Sequence, residues 1–217
     1  MIFDIHTHDI SARNALISVN PAEFDPQPGA FYSVGIHPWR LSASDEDMKL
    51  LESIALRDDV LMIGECGIDK VRGVELNEQI KVLRKHVELS ETLGKPLILH
   101  CVKASNELVA LRKEIRATQP WVVHGFRGNA NVARQLLAAG MFLSFGEHFN
   151  ADALKVVPPG RLLVETDESA MKIDEIAKRV AETRGVPCEE LESDVLQTIQ
   201  VLLHRMLRIT DMNLKKS

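Results

Sequence analysis

Ile2-Phe3-Asp4-Ile5-His6-Thr7-His8 opens the chain with a short apolar run that ends on a pair of histidines, and the same event recurs downstream. Glu65 closes Val60-Leu61-Met62-Ile63-Gly64, His100 closes Pro96-Leu97-Ile98-Leu99, His124 closes Trp121-Val122-Val123, and Asp167 follows Leu162-Leu163-Val164-Glu165-Thr166. Each run is short, bulky and bounded by turn residues, which is the pattern of a parallel strand buried on both faces. A metal-type side chain at the carboxyl end of strand after strand points to a cation site at one mouth of a barrel.

The same criterion places strands near 2–6, 15–19, 31–36, 60–64, 97–100, 121–124, 141–145 and 162–165. That makes eight, the number that closes a parallel barrel. Between them run helical stripes: Leu76, Ile80, Leu83 and Val87; Leu108, Leu111 and Ile115; Val132 and Leu136 before Gly140; Ile173, Ile176 and Val180 before Gly185; and Leu191, Val195, Ile199, Leu202 and Met206. The first third breaks this rhythm. Residues 7–14 and 20–30 are too short for a normal crossover helix, and the second stretch holds Pro21, Pro26, Pro28 and Gly29. The expected architecture is α/β: a TIM-like (β/α)8 barrel with the first two crossover helices reduced or missing, one domain over 1–217. If 15–19 is not a barrel strand, seven remain.

At 217 residues, with 45% hydrophobic and 26% charged positions, the chain suits one ordinary globular core. No apolar run approaches the roughly 18 residues of a membrane span, and Asp4, His6, His8 and Asp9 interrupt any signal-peptide pattern at the start. The widely spaced Cys66, Cys101 and Cys188 fit a reduced cytoplasm better than a disulfide framework. A net charge of −5 argues against bulk electrostatic coating of nucleic acid, although not against local, metal-borne phosphate contacts. Neither a membrane nor an obligate protein partner is expected.

His6 and His8, two apart on a strand, point to one face; Asp4 shares their parity and is expected to orient a ligating imidazole. Glu65 lies in Gly64-Glu65-Cys66-Gly67-Ile68-Asp69, where the glycines allow a sharp turn and a carboxylate is able to bridge two cations. His100 and His124, with Glu65, make a second ligand set. Asp167 either completes the His6/His8 set or takes the proton of an attacking water, with Glu165 and Glu168 as competing acids. His37, in Gly35-Ile36-His37-Pro38-Trp39, reads as a substrate contact with Trp39 as an apolar wall. Lys103 and Arg127 each stand three residues past a ligand and suit an anionic substrate. His148 lies at the rim without a role, and His86 and His204 read as structural. A histidine-rich set favours two zinc ions, with manganese or magnesium as alternatives, and hydrolysis by metal-activated water with Asp167 and Glu65 catalytic.

These residues resemble the TatD-type metal-dependent hydrolases, a deoxyribonuclease family built on a (β/α)8 barrel. The resemblance runs through Phe3-Asp4-Ile5-His6-Thr7-His8, Val34-Gly35-Ile36-His37-Pro38, Ile63-Gly64-Glu65-Cys66-Gly67-Ile68-Asp69, Ile98-Leu99-His100-Cys101, Val123-His124-Gly125-Phe126, Leu143-Ser144-Phe145-Gly146 and Leu163-Val164-Glu165-Thr166-Asp167. It implies two divalent metals, one on His6, His8 and Asp167 and one on His100 and His124, with Glu65 shared. It implies 3′-end trimming of DNA and related phosphodiester cleavage. The chain departs from the family in its short first crossovers, in Cys101-Val102-Lys103, in Arg127, and in Glu168-Ser169-Ala170-Met171 after Asp167. Two other classes compete: an amidohydrolase-type enzyme acting on a small amide or ester, and a non-catalytic metal-binding barrel. A histidinol-type phosphoesterase would need further histidines and acids for a third metal.

Overall fold

Eight parallel strands follow one another around the sheet in chain order. They are β1 (Asp4–Thr7), β2 (Ala15–Val19), β3 (Phe31–Val34), β4 (Val60–Asp69), β5 (Leu97–Val102), β6 (Trp121–Val123), β7 (Phe142–Phe145) and β8 (Leu162–Val164). The computed structural model describes residues 2–41 and 45–203, so His204 and Met206 lie outside the described residues. Closure is made just beyond β8: Asp167 N–H donates to His6 O (2.9 Å), and His8 N–H donates to Asp167 O (3.2 Å). The 15–19 segment is a barrel strand, paired in register with β3.

The helices are α1 (Asp45–Ala55), α2 (Leu76–Leu93), α3 (Ser105–Ile115), α4 (Ala130–Ala138), α5 (Ala151–Val156), α6 (Ile173–Arg184) and α7 (Cys188–Leu202). Only a turn joins β1 to β2, and only a 3-10 turn, Pro21–Glu23, stands between β2 and β3. Both crossovers are therefore reduced as expected. α1 compensates for the missing cover: Met48 and Leu51 pack with Ile17, Tyr32, Val34 and Val60 in an apolar cluster of their own, beside the main core. Half-buried Lys95 ties this region together, its ammonium donating to the carbonyls of Ala55, Arg57 and Val60 at 2.6–2.8 Å.

Two strands run further than their apolar stretches. β4 continues through Glu65 to Asp69, and β5 continues past His100 to Val102. Gly64 and Gly67 do not turn the chain out of the sheet; they let β4 press against β5. A β-carbon at Gly64 would stand 2.3 Å from Ile98 O, and one at Gly67 would stand 2.1 Å from His100 O. Their φ values of 134° and 145° are closed to most side chains as well.

Candidate metal centre

One mouth of the barrel brings His6, His8, Glu65, His100, His124 and Asp167 together, though they are spread over most of the chain. Glu65 lies at the middle, buried, with its two oxygens facing different imidazoles. Oε2 stands 3.5 Å from His6 Nε2 and 3.5 Å from His8 Nε2. Across from it, Asp167 Oδ1 lies 3.7 Å from His6 Nε2 and 3.6 Å from His8 Nε2. Oε1 meets His124 Nε2 at 2.7 Å, His100 Nδ1 at 2.8 Å and His37 Nε2 at 3.0 Å.

The His6/His8 half has the spacing of a cation site. His6 is fully buried, and among the described residues neither of its ring nitrogens has a hydrogen-bond partner. Two donors on one tetrahedral cation, each ~2.0–2.1 Å from it, lie roughly 3.4 Å apart. Separations of 3.5–3.7 Å therefore match co-ligands better than hydrogen-bonded pairs. A buried imidazole with no partner is otherwise costly.

Carboxylates on the far sides of two rings set which nitrogen is available. Asp69 Oδ2 lies 3.4 Å from His100 Nε2, and Glu165 Oε1 lies 3.4 Å from His124 Nδ1. Each acid favours the proton on the nitrogen it faces, so a cation at the centre would take the place of the protons that His100 Nδ1 and His124 Nε2 share with Glu65 Oε1 and would meet lone pairs directed inward. Asp69 is itself held by Trp39 Nε1 (2.7 Å) and by the backbone N–H groups of Val71 and Arg72. His37 differs. Its Nδ1 accepts from Trp39 N–H (3.1 Å), so a neutral His37 keeps its proton on Nε2 and faces Glu65 as a donor. Its place beside Glu65 and His100 thus suits hydrogen bonding rather than ligation.

The buried charges act on one another. Burial pushes the Glu65 carboxyl up, but His124, His100 and His37 outweigh burial and hold it well below the usual carboxylate range. For His124 burial opposes the charge, while Glu65 and Glu165 on either side override it and hold the imidazolium well above its ordinary range. His6 is pushed down by burial and by the neighbouring His124. His8, at the open edge, is raised by Glu65.

Other expected residues fall in varied places. Asp4 does not touch an imidazole nitrogen. Its Oδ1 accepts from the N–H groups of His6 (3.2 Å) and Thr166 (3.1 Å), and its Oδ2 from the Thr166 hydroxyl (2.6 Å), so it fastens β1 to the end of β8. Burial pushes its carboxyl up to about 7. Asp167 opens on a cavity of about 390 Å³ that Arg127, His148 and Glu168 also line. Lys103 is exposed in the left-handed turn after β5 and does not line this cavity. His86 is structural: Nδ1 lies 2.8 Å from Val82 O, and Nε2 accepts from Ile36 N–H at 3.0 Å. Sequence reasoning gave no role to Asp69, although its parity with Glu65 on one strand places both on the same face. Glu165 was weighed only as a rival acid. Wholly buried against His124 and the Gly125 N–H, it is placed to orient that imidazole instead.

Known proteins resemble this chain in sequence and in fold. The family described as "TatD related DNase" matches residues 21–204, a span that begins after the His6/His8 pair. A "3'-5' ssDNA/RNA exonuclease TatD" from Cronobacter turicensis is 31% identical over 178 residues. That match takes in 74% of this chain and 65% of the relative, so the chain covers less than two thirds of that relative's length. A protein described as the uncharacterized metal-dependent hydrolase YabD, from Bacillus subtilis, is 27% identical over 186 residues, 75% of this chain and 73% of the relative. Among solved structures, the TatD homolog YJJV from Escherichia coli K12 superposes with a TM-score of 0.81 at 19% identity, covering 94% of this chain and 98% of that one. This last likeness speaks for the fold alone.

Proposed function

The chain belongs to the TatD family of metal-dependent hydrolases, and from that premise we propose that it is a phosphodiesterase acting on DNA, a deoxyribonuclease that holds two divalent cations. The observation that carries this is the division of Glu65, one oxygen facing His6 and His8 and the other facing His100 and His124. His6, His8 and Asp167 would hold one cation and His100 and His124 the other, with Glu65 available to both. The imidazole-rich donor set favours zinc over manganese or magnesium.

Such cations supply Lewis acidity, polarising a phosphoryl oxygen and acidifying the attacking water. The protein's own groups do the rest. Asp167, on the cavity wall with its backbone pinned between His6 and His8, accepts the proton of the water. Glu65 fixes the spacing of the two ligand sets. Asp69 and Glu165 hold the rings of His100 and His124 in the tautomers that direct lone pairs inward. His37 Nε2–H, which rests on Glu65 Oε1 at 3.0 Å, would turn to a phosphate oxygen once that carboxylate is held by the cations, and Arg127 on the cavity wall offers a planar fork of donors to the same anion. Lys103 stands further out as a rim charge.

A nucleic-acid substrate is supported by the printed name of the Cronobacter relative, a single-stranded DNA and RNA exonuclease. We place the protein in the reducing cytoplasm, in keeping with its three free cysteines; among the described residues no helix is long and apolar enough to cross a membrane. The test is direct. Chelator-stripped protein reloaded with zinc, manganese or magnesium is assayed on single-stranded DNA, RNA and bis(p-nitrophenyl) phosphate. Turnover that stops with chelator and in Asp167→Asn supports the proposal. Metal-loaded protein that leaves all three substrates intact overturns it, and hydrolysis of a model amide or ester in its place would promote the amidohydrolase-type reading.

A further inference from the structure

The cavity beside Asp167 does not end at the candidate metal centre. A second cleft of about 420 Å³ adjoins it, and the two share Arg127, Glu147 and His148 as a common wall. From that wall the second cleft continues to Phe149, Asn150 and Arg179, the last on α6. Each space falls within the roughly 300–1,000 Å³ of small-ligand sites.

The charge of this outer cleft is opposite to that of the whole chain. Two guanidiniums face one carboxylate, with His148 as a further potential cation, on a protein whose net charge is −5. Glu147 is also engaged elsewhere, accepting a hydrogen bond from the Ser169 hydroxyl at 2.6 Å. Neither arginine is consumed by structure. Among the described residues Arg179 makes a long contact to Met171 Sδ (3.6 Å), lies 5.8 Å from the centre of the Phe149 ring and, like Arg127, attracts the Glu147 carboxylate. Arg127 is exposed on the shared wall. Exposed guanidiniums with one carboxylate between them, opening on a space continuous with the reaction centre, match the planar oxygens of a phosphodiester.

We propose that this outer cleft, with Arg179 as its far anchor, seats the phosphate one nucleotide removed from the bond being cut. The substrate is then a polynucleotide strand with at least two consecutive phosphodiesters, read by its backbone rather than by its bases. This rests on the phosphodiesterase reading above and adds to it a specificity determinant remote from the cations.

The experiment uses the full chain loaded with metal and compares kcat/KM on a single-diester substrate, dTpT, with kcat/KM on the two-diester trinucleotide dTpTpT. The wild type is expected to favour the trinucleotide. Arg179→Ala should lower the trinucleotide-to-dinucleotide ratio by ~10-fold or more, the scale of one hydrogen bond to a charged group. Arg179→Lys, which keeps the charge but loses the fork, should fall between. The salt dependence of KM on the trinucleotide should weaken in Arg179→Ala, by ~0.7 in the log–log slope for one lost contact to a single strand. An unchanged ratio and slope in Arg179→Ala would overturn this inference while leaving the phosphodiesterase intact, as would a wild type indifferent to the second diester. A wild type that cuts neither substrate would bring down the phosphodiesterase reading and this inference with it.

Discussion

Replacing Gly67 by alanine tests how the β4–β5 contact makes the centre. The new methyl would arrive 2.1 Å from His100 O, where ordinary contact begins at 3.4 Å, so the strands must part by about 1.3 Å. The obstacle is backbone, which no side-chain rotation relieves. The φ of 145° adds a conformational penalty of its own. Overpacking and strain together should cost about 3–5 kcal/mol, a large part of the 5–15 kcal/mol typical of a domain. The functional effect follows from the register, because Gly67 is paired with His100 and His100 Nδ1 is only 2.8 Å from Glu65 Oε1. A displacement of this size separates ligand from ligand. Urea unfolding and metal content per chain, measured on the same preparation, read the two consequences. Gly67→Ala with unchanged stability and a full complement of metal would refute the reasoning, since the close approach would then be neither necessary nor connected to His100.

Two further outcomes follow from the groups that support the centre. Asp69→Asn removes the charge that fixes the His100 ring while leaving the fold in place, and zinc affinity should fall ~10–100-fold in competition with a chromophoric chelator; unchanged affinity would show that Asp69 does not orient His100. The second outcome concerns pH. Burial lowers the His86 pKa to about 4, so the unfolded chain takes up its proton first as pH falls. The stability that neutral His86 provides is present above pH ~6.5 and is lost progressively towards pH ~4, about 3 kcal/mol in all. His86→Gln should flatten the dependence of urea stability on pH in that window, and a slope identical to that of the wild type would contradict it.

How much of this could be read beforehand depended on whether a feature was local. The eight strands were legible because each is a short apolar run between turn residues, and the ligand types stood at their ends. The two short crossovers were legible from length and proline content alone. α1 was not read, because only Met48, Leu51 and Ala55 mark its buried side amid acidic neighbours. α5 has six residues, too few to show a period. The extension of β4 was hidden because Gly64 and Gly67 look like a turn until β5 is placed beside them. The same distinction holds within the centre. Strand parity places His6, His8 and Glu65 without a partner in view, whereas the work of Asp69 and Glu165 depends on which ring nitrogen faces them, a relation across strands far apart in sequence. The part Asp4 plays was hidden for that reason: besides the nearby His6 N–H, it holds the backbone and hydroxyl of Thr166, more than 150 residues away, and no imidazole nitrogen.

Equilibrium binding of zinc to chelator-stripped protein, followed by calorimetry and by elemental analysis of the dialysed complex, bears most directly on Glu65 as a carboxylate shared by two cations. The wild type should bind two equivalents, and Glu65→Gln should lose affinity at both positions at once. One equivalent in the wild type, or two retained in Glu65→Gln at undiminished affinity, would contradict that account.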